Sequence, residues 1–150
     1  PLISDLIRKG DVHEIKDRKD SFVLFTGSPH YVQFRNDIDK IEIVEDARKI
    51  RYNEEFAKEG INVNFVEEKD GKVFMRTYER GVEDETLSCG TGTVAVALCV
   101  AEKNNIQQGN IEIETPGGKL QVAFTKDGTR FTNIWLKGAA EKVFEGDISI

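Results

Sequence analysis

The chain has 150 residues, of which 39% are hydrophobic and 32% charged, and its formal net charge is −6. This length suits one domain with a sizeable core, and the negative charge without a compensating Lys/Arg cluster argues against a nucleic-acid surface. No apolar run approaches the roughly 20 residues that a membrane-spanning helix needs. We therefore expect one ordinary soluble domain, residues 1–150, that binds neither nucleic acid nor membrane.

The N-terminal part of the chain predicts short strands joined by turns. Two of them fall within residues 1–17, and the charged run 17–20 is typical of a hairpin turn. Further strands are predicted at 22–25 and 30–35, on either side of the turn 26–29.

A helix is predicted next, over residues 44–58, with Gly60 as its C-terminal cap. Residues 61–66 then alternate as in a strand and place Asn62 and Asn64 on the same face. Two asparagines on one face need hydrogen-bond partners if they are buried. The alternative is a solvent-facing or edge strand.

A strand over 73–78, which follows the Asp-Gly turn at 69–72, delivers Glu79 and Arg80 to a loop. Neighbouring acids and bases commonly form surface ion pairs that contribute little stability. An arginine fork also suits a carboxylate, however, and a glutamate suits an ammonium group.

The most informative stretch places Cys89 directly before Gly90-Thr91-Gly92 and a run of small and branched apolar residues, 93–101. A helix that is apolar all round must be buried, so it is expected to form the centre of the domain. Its N-terminal amides favour anions, and a cysteine at such a position tends towards the thiolate. The residues alone leave open whether Cys89 is a small core residue or a catalyst.

Cys99 lies in the same apolar run and is interpreted as a core thiol. Ten residues at about 1.5 Å each would separate it from Cys89 by roughly 15 Å, which is too far for a disulfide. Reduced thiols favour a cytoplasmic location.

Four further strands complete the prediction, and Trp135, which lies in the third of them, is expected to be part of the core. They are 111–114, 119–125, 131–137 and 141–144. The fold class is α+β: a strongly curved, mostly antiparallel sheet around the central apolar helix, with the helix at 44–58 outside.

Two runs around Cys89 resemble the second-cysteine motif of the diaminopimelate epimerase family, whose members are cofactor-independent amino-acid epimerases. They are Y-E-R-G at 78–81 and E-T-L-S-C-G-T-G at 85–92. Further matches occur in the same order as in that family. They are G-S-P-H-Y-V at 27–32, I-N-V-N-F at 61–65, T-P-G-G-K-L at 115–120 and G-A-A-E-K-V-F-E-G at 138–146. The resemblance covers most of the chain and implies a β-barrel-like roll around a central helix.

The resemblance also implies catalytic roles. Cys89 would be one of two thiols that exchange the α-proton of diaminopimelate on opposite faces, with no cofactor and no metal. His30 would lie near the sulfurs and influence their protonation. Glu79 and Arg80 would contact the distal ammonium and carboxylate groups of the substrate, and Glu79 would also tune a thiol.

Other positions are implied to bind substrate. Asn62 would hydrogen-bond it, and Ser28 stands where the family usually has an asparagine that contacts substrate. Gly90 and Thr91, at the helix terminus, would stabilise negative charge on the α-carboxylate. The acidic loop 82–85 is one residue longer than the usual family form, and we expect it to bulge and leave Cys89 in place.

Only the second half of the family pattern is present, because no N-G-x-G-x-R-C sequence precedes it. We expect this chain, which starts at Pro1 without an initiator Met, to be the C-terminal half of a two-domain epimerase. It would be inactive without its N-terminal domain, and a homodimer is left open.

Two other functions stay open from the sequence. One is a related cofactor-independent isomerase similar to proline racemase, and the other is a non-catalytic amino-acid-binding module. A cysteine hydrolase is disfavoured, because only His13 and His30 are available and neither forms a recognisable nucleophile–base pattern.

Overall fold

The computed structural model describes residues 3–12 and 14–150, within which it has one curled sheet, a short 3₁₀ helix and two α-helices. The helices are the 3₁₀ turn Ile38–Lys40, α1 (Ile43–Arg51) and α2 (Gly90–Lys103). The strands are β1 (Ile3–Lys9), β2 (Ile15–Asp17), β3 (Ser21–Phe25), β4 (Pro29–Phe34), β5 (Asn62–Lys69), β6 (Lys72–Glu79), β7 (Asp84–Thr86), β8 (Gln108–Thr115), β9 (Gly118–Asp127) and β10 (Arg130–Ala140). No helix in the described ranges is long and apolar enough to cross a membrane.

The sheet runs in the order β1-β10-β9-β8-β6-β5-β4-β3-β2, with β7 paired to β6 outside this path. Its pairings are antiparallel except for β4 with β5 and β6 with β8. The predicted mostly antiparallel, curved sheet is therefore confirmed. The parallel pairings were not predicted; the first brings together β4 and β5, which are separated in sequence by α1.

The sheet curls because its two ends are joined by a short segment. β1 and β2 occupy opposite ends of the strand order, yet they are consecutive in the chain. Between them, Val12 bridges to Phe131 of β10, with each residue donating its N–H to the other's carbonyl at 2.9 and 2.8 Å. This bridge brings the ends together around α2.

Helix α2 fills the interior of this curl, as the sequence predicted. Every residue from Gly92 to Ala101 is buried, and the helix contacts seven strands, β3, β4, β5, β6, β8, β9 and β10. Cys99 is completely buried, and burial raises the pKa of its thiol, so its assignment as an inert core cysteine is confirmed. Such a helix is stabilised mainly by burial of its side chains.

Helix α1 lies on the outer face of the sheet, where it covers Val63 and Phe65 of β5. The inner face of β5 is covered by α2, so Asn62 and Asn64 are buried as well. The solvent-facing or edge alternative for this strand is therefore wrong. β5 is a central strand with both faces covered.

The predicted helix at 44–58 is real but shorter, since α1 ends at Arg51 and is followed by turns. The side chain of Asn53 accepts the N–H of Phe56 at 2.9 Å, which replaces helical pairing with a local turn. Gly60 ends this segment with φ of 77° and donates its N–H to the carbonyl of Phe56.

Two predictions near the C-terminus are wrong. Trp135 is only partly buried, because an irregularity in β10 around Asn133, with φ of 50°, changes the alternation and turns Ile134 and Leu136 inwards. Residues 141–144 do not form a strand. β1 and β9 already occupy both edges of β10, and Phe144 is 86% exposed.

Candidate active site

The segment that leads to Cys89 is held at two points. Arg76 of β6 binds both carboxylate oxygens of Glu85, at 2.7 and 2.8 Å, and so fixes β7 against β6. Further along, the N–H of Gly117 donates to the carbonyl of Leu87 at 2.8 Å. A Cβ on Gly117 would lie only 2.9 Å from that carbonyl oxygen, which explains the glycine in the 115–118 turn.

Cys89 is the N-terminal cap of α2, with extended backbone angles and a partly buried side chain. Its carbonyl accepts the N–H of Thr93 at 2.8 Å, the first hydrogen bond of the helix. The N–H groups of Gly90, Thr91 and Gly92 therefore belong to the first turn, where an α-helix offers no backbone acceptor. The Sγ atom lies 3.6 Å from the hydroxyl of Thr91.

His30 projects from β4 into the space beneath this helix terminus and is completely buried. Its Nε2 atom lies 3.0 Å from the hydroxyl oxygens of both Ser28 and Thr91, which are themselves 3.0 Å apart. Burial, assisted by the positive charge of Arg80, lowers the pKa of His30 to about 3. The imidazole is therefore neutral at physiological pH.

The sequence did not assign a functional role to Asn64, but the structure places it beside His30. Its Nδ2 lies 3.0 Å from His30 Nδ1 and donates to the carbonyl of Tyr31 at 3.1 Å. The hydroxyl of Thr77 donates to its Oδ1 at 2.9 Å. The signal was present in the pair of asparagines on one strand face, which must have partners once they are buried.

Asn62 connects the cluster to the Glu79-Arg80 loop. Its Nδ2 donates to the carbonyl of Pro29 at 2.9 Å and to Ser28 Oγ at 3.2 Å, and its Oδ1 accepts the backbone N–H of Arg80 at 2.8 Å. Its amide is thus engaged on both sides by the protein, which gives Asn62 a structural function whatever it does with substrate.

The side chain of Arg80 is exposed and points past Gly60. Its Nη1 donates to the carbonyl of Glu59 at 3.0 Å, and a Cβ on Gly60 would lie 2.6 Å from its Cδ. Glu79 ends β6 with a partly buried side chain, and its backbone carbonyl accepts the N–H of Glu83 at 2.8 Å.

The longer loop is ordered by Glu83, which has φ of 58° and turns its carboxylate inwards. That carboxylate accepts hydrogen bonds from Arg51, from the hydroxyls of Tyr52 and Tyr78, and from the N–H of Gly81. Glu83 therefore fastens the loop to Arg51 of α1.

The structure thus brings four of the sequence-predicted site residues, Ser28, His30, Thr91 and Cys89, into one hydrogen-bonded cluster. Asn62 joins it through Ser28, Arg80 joins through its backbone, and Gly90 begins α2 beside Cys89. Within the described residues, no group of three or more His, Cys, Asp or Glu side chains is arranged to hold a metal ion.

A curled sheet around a buried helix has counterparts among solved structures. A hydroxyproline epimerase from Agrobacterium vitis superposes with a TM-score of 0.55 at 14% identity, over 87% of this chain and 41% of that one. A PhzC/PhzF protein from Clostridium difficile gives 0.53 at 19% identity, over 79% and 40%. At these identities, the likeness establishes the shared fold.

The sequence comparisons establish the family. The diaminopimelate epimerase family model matches residues 22–143. The diaminopimelate epimerase of Flavobacterium psychrophilum is 45% identical over 139 residues, which cover 92% of this chain and 54% of that protein. The corresponding enzyme of Chlamydia trachomatis is 50% identical over 112 residues, covering 73% and 41%. The chain belongs to the diaminopimelate epimerase family and spans about half the length of these curated relatives.

Proposed function

We propose that this chain is the second-cysteine half of an amino-acid epimerase that interconverts LL- and meso-diaminopimelate. The observation that carries the proposal is the position of Cys89, at the N-terminus of a buried helix and in contact with the Ser28–His30–Thr91 cluster, of which His30 is completely buried. A second thiol would come from a domain that supplies the N-G-x-G-x-R-C motif. The cytoplasmic location stays a prediction.

The reaction requires two bases on opposite faces of the α-carbon. In one direction, a thiolate takes the α-proton while a thiol on the other face delivers its own proton to the carbanion, so the two sulfurs exchange protonation states. Cys89 would act on one of these faces. The amides of the first turn of α2 are suited to the α-carboxylate, whose negative charge increases as the proton leaves.

The distal end of the substrate would be bound by Glu79 and Arg80. A substrate with an ammonium and a carboxylate at both ends can use an acidic and a basic side chain beyond the reacting carbon. The backbone N–H of Arg80 donates to Asn62 Oδ1, which anchors this loop beside the cluster, while its exposed guanidinium donates to the carbonyl of Glu59. A proline-like substrate has no distal charged pair for these residues to bind.

Two exposed apolar side chains support a missing partner domain on this side of the molecule. Leu87, two residues before Cys89, is 70% exposed. Phe25, which is 64% exposed, adjoins Thr26, whose hydroxyl donates to the carbonyl of Thr91 at 2.7 Å. Exposed apolar groups beside a site are typical of a surface that another domain covers. Such a domain would also exclude water from the reacting carbon.

The test is conversion of LL- to meso-diaminopimelate in D₂O by the full-length enzyme, followed by proton NMR at the α-position. Cys89→Ala should abolish epimerisation, whereas Cys99→Ala should retain it, because Cys99 is enclosed in the core. The 150-residue chain alone should give no conversion. Conversion by that chain, or by the full-length Cys89→Ala variant, would contradict the two-thiol mechanism.

The same assay separates the alternatives. Turnover of proline without turnover of diaminopimelate would support a proline racemase-like isomerase. Binding of diaminopimelate by the full-length protein with neither conversion nor α-deuteration would support a non-catalytic binding module. Either result would refute the proposed activity.

A further inference from the structure

We propose that Asn64 is a positioning residue that fixes the tautomer of His30 and thereby directs the hydroxyl hydrogen of Thr91 towards Cys89 Sγ. This inference rests on the proposed role of Cys89 as an acid–base thiol. It assigns a function to a residue that touches neither the sulfur nor, in its buried position, any substrate.

The orientation of the Asn64 side chain is determined by the carbonyl of Tyr31, and the hydroxyl of Thr77 completes the hydrogen bonding on its other side. The carbonyl of Tyr31 can only accept, and it lies 3.1 Å from Nδ2 of Asn64. The opposite atom, Oδ1, accepts the hydroxyl of Thr77. The atom that faces His30 Nδ1 at 3.0 Å is therefore the NH₂ group, which can only donate.

His30 must then accept at Nδ1 and carry its proton on Nε2. The low pKa of the buried ring excludes the doubly protonated form at physiological pH. Nε2–H can therefore donate to Ser28 Oγ or to Thr91 Oγ1, each at 3.0 Å. Neither hydroxyl can donate to the ring.

The hydroxyl hydrogens of Ser28 and Thr91 can be placed in the same way. Ser28 Oγ accepts from Asn62 Nδ2, and that amide is also fixed, because its Oδ1 faces the N–H of Arg80. With the ring and the amide both acting as donors, the acceptor that the protein itself offers the Ser28 hydroxyl is Thr91 Oγ1 at 3.0 Å. The Thr91 hydroxyl then has Cys89 Sγ as its acceptor, at 3.6 Å.

This arrangement provides the sulfur with a donor that stabilises its thiolate form, since hydrogen bonds to charged groups are stronger than neutral ones. If Asn64 accepted instead, the proton of His30 would move to Nδ1. Nε2 would then accept, and the Thr91 hydroxyl could turn to it and away from Cys89.

The first test is the tautomer itself, read from ¹⁵N chemical shifts of the imidazole in long-range ¹H–¹⁵N spectra of the purified chain. The chain has two histidines, so His30→Gln identifies which signals belong to His30. We expect Nε2 to be protonated and Nδ1 not. A proton on Nδ1 would overturn the proposal without any variant of Asn64 having to fold.

The second test uses Asn64→Asp, which has the same shape but an acceptor in place of the donor. We expect the His30 signals to change to the Nδ1–H tautomer. Thr77→Val is the matched control, because it removes a neighbouring hydroxyl from the same buried cluster and leaves the Asn64–His30 contact intact. The control should keep the wild-type tautomer. An unchanged tautomer in Asn64→Asp, or a changed tautomer in Thr77→Val, would contradict the assignment.

The third test follows the effect to the sulfur through the rate of alkylation by iodoacetamide, a neutral reagent, at neutral pH. Only Cys89 should react in the folded chain, because Cys99 is completely buried. Thr91→Val and Asn64→Asp should each slow the reaction about tenfold, the effect of one hydrogen bond to a charged group, whereas Thr91→Ser should react like wild type.

Equal alkylation rates in Thr91→Val and wild type would overturn the proposal. These readouts need no turnover, so they distinguish failure of the network from failure of the proposed epimerase activity. A directed network in a protein that does not epimerise diaminopimelate would refute only the function proposed above.

Discussion

A Cβ atom built on Gly92 would lie 2.7 Å from Oδ1 of Asn64, although the two residues belong to α2 and β5. The same atom would lie 3.3 Å from Cys89 Sγ. Gly92 therefore lies too close to Asn64 for a side chain to fit without a shift, and a glycine is required there by space.

Gly92→Ala should destabilise the fold by about 1–3 kcal/mol, the usual range for overpacking, and should displace Asn64 or Cys89. Chemical denaturation measures the first effect, and the alkylation rate of Cys89 the second. The matched control is Gly10→Ala, because an added Cβ there meets no atom within 4 Å. Its stability should stay within about 0.5 kcal/mol of wild type. Equal effects of the two substitutions would refute the close-approach argument.

His30 should stay neutral in the folded chain at pH values well below the ordinary histidine pKa of 6.5. Burial, with a smaller contribution from Arg80, lowers its pKa from 6.5 to about 3. NMR titration of the ring protons should therefore show no protonation of His30 at pH values near 5. A ring that titrates near its ordinary pKa would contradict its burial in the cluster.

The same shift predicts how stability depends on pH. Between the unfolded pKa of 6.5 and the folded value of about 3, the unfolded state binds more protons. The free energy of unfolding should therefore fall as the pH is lowered through this window, by up to about 1.4 kcal/mol per unit for this group. His30→Gln should be less stable at neutral pH but should show a shallower fall. Parallel curves for the two proteins would refute the prediction.

The central helix could be predicted from sequence because its signal is local. Ten consecutive buried residues, Gly92 to Ala101, belong to a helix with no polar face, and such a helix has to be buried in the core. The cysteine at its start and the glycines after it could be placed for the same reason.

The polar cluster could not be predicted in this way, because it depends on pairing between distant strands. His30 and Asn64 come together through the parallel alignment of β4 and β5, which local patterns do not determine. The prediction that Trp135 lies in the core was wrong for a related reason. A backbone irregularity at Asn133 changed which residues of β10 face inwards. Asn64 was therefore noticed only as one of a pair needing partners, and its contact with His30 required the structure.

Glu83 should stabilise the loop before Cys89 in a pH-dependent way. Burial alone would raise the pKa of its carboxyl, but hydrogen bonds from Gly81, Tyr52, Tyr78 and Arg51 together lower it to about 2. Since the unfolded value is 4.5, the stabilisation should be fully present above that pH and lost as the pH falls towards about 2.

The substitution that tests this is Glu83→Gln, which keeps the shape and removes the charge. We expect a loss of about 1–2 kcal/mol at neutral pH that becomes smaller as the pH approaches 2. Glu54→Gln removes the same charge from an exposed position and should have little effect. A constant difference between wild type and Glu83→Gln across the pH range would show that charge is not the cause.

Arg76 should contribute more to stability than its charge alone suggests. Besides the two contacts with Glu85, its Nη1 donates to the carbonyls of Ile38 and Ile41 at 2.7 and 3.1 Å. Its side chain is only 20% exposed, so these partners would lose their donor in a region with limited access to water. A lysine supplies one charged group and cannot reproduce the planar fork. Arg76→Lys should lower the free energy of unfolding by about 1–3 kcal/mol.

The control is a second forked pair on the same molecule. Arg18 binds both oxygens of Glu55 at 3.1 and 2.7 Å, but these side chains are 37% and 53% exposed. Water can replace that interaction, so Arg18→Lys should change stability by less than about 0.5 kcal/mol. Urea denaturation of both variants under the same conditions decides the comparison. Similar losses in the two variants would mean that burial and the Ile38 and Ile41 carbonyls do not distinguish Arg76. A larger loss in Arg76→Lys would establish it as the residue that fastens β7, and the segment leading to Cys89, to the sheet.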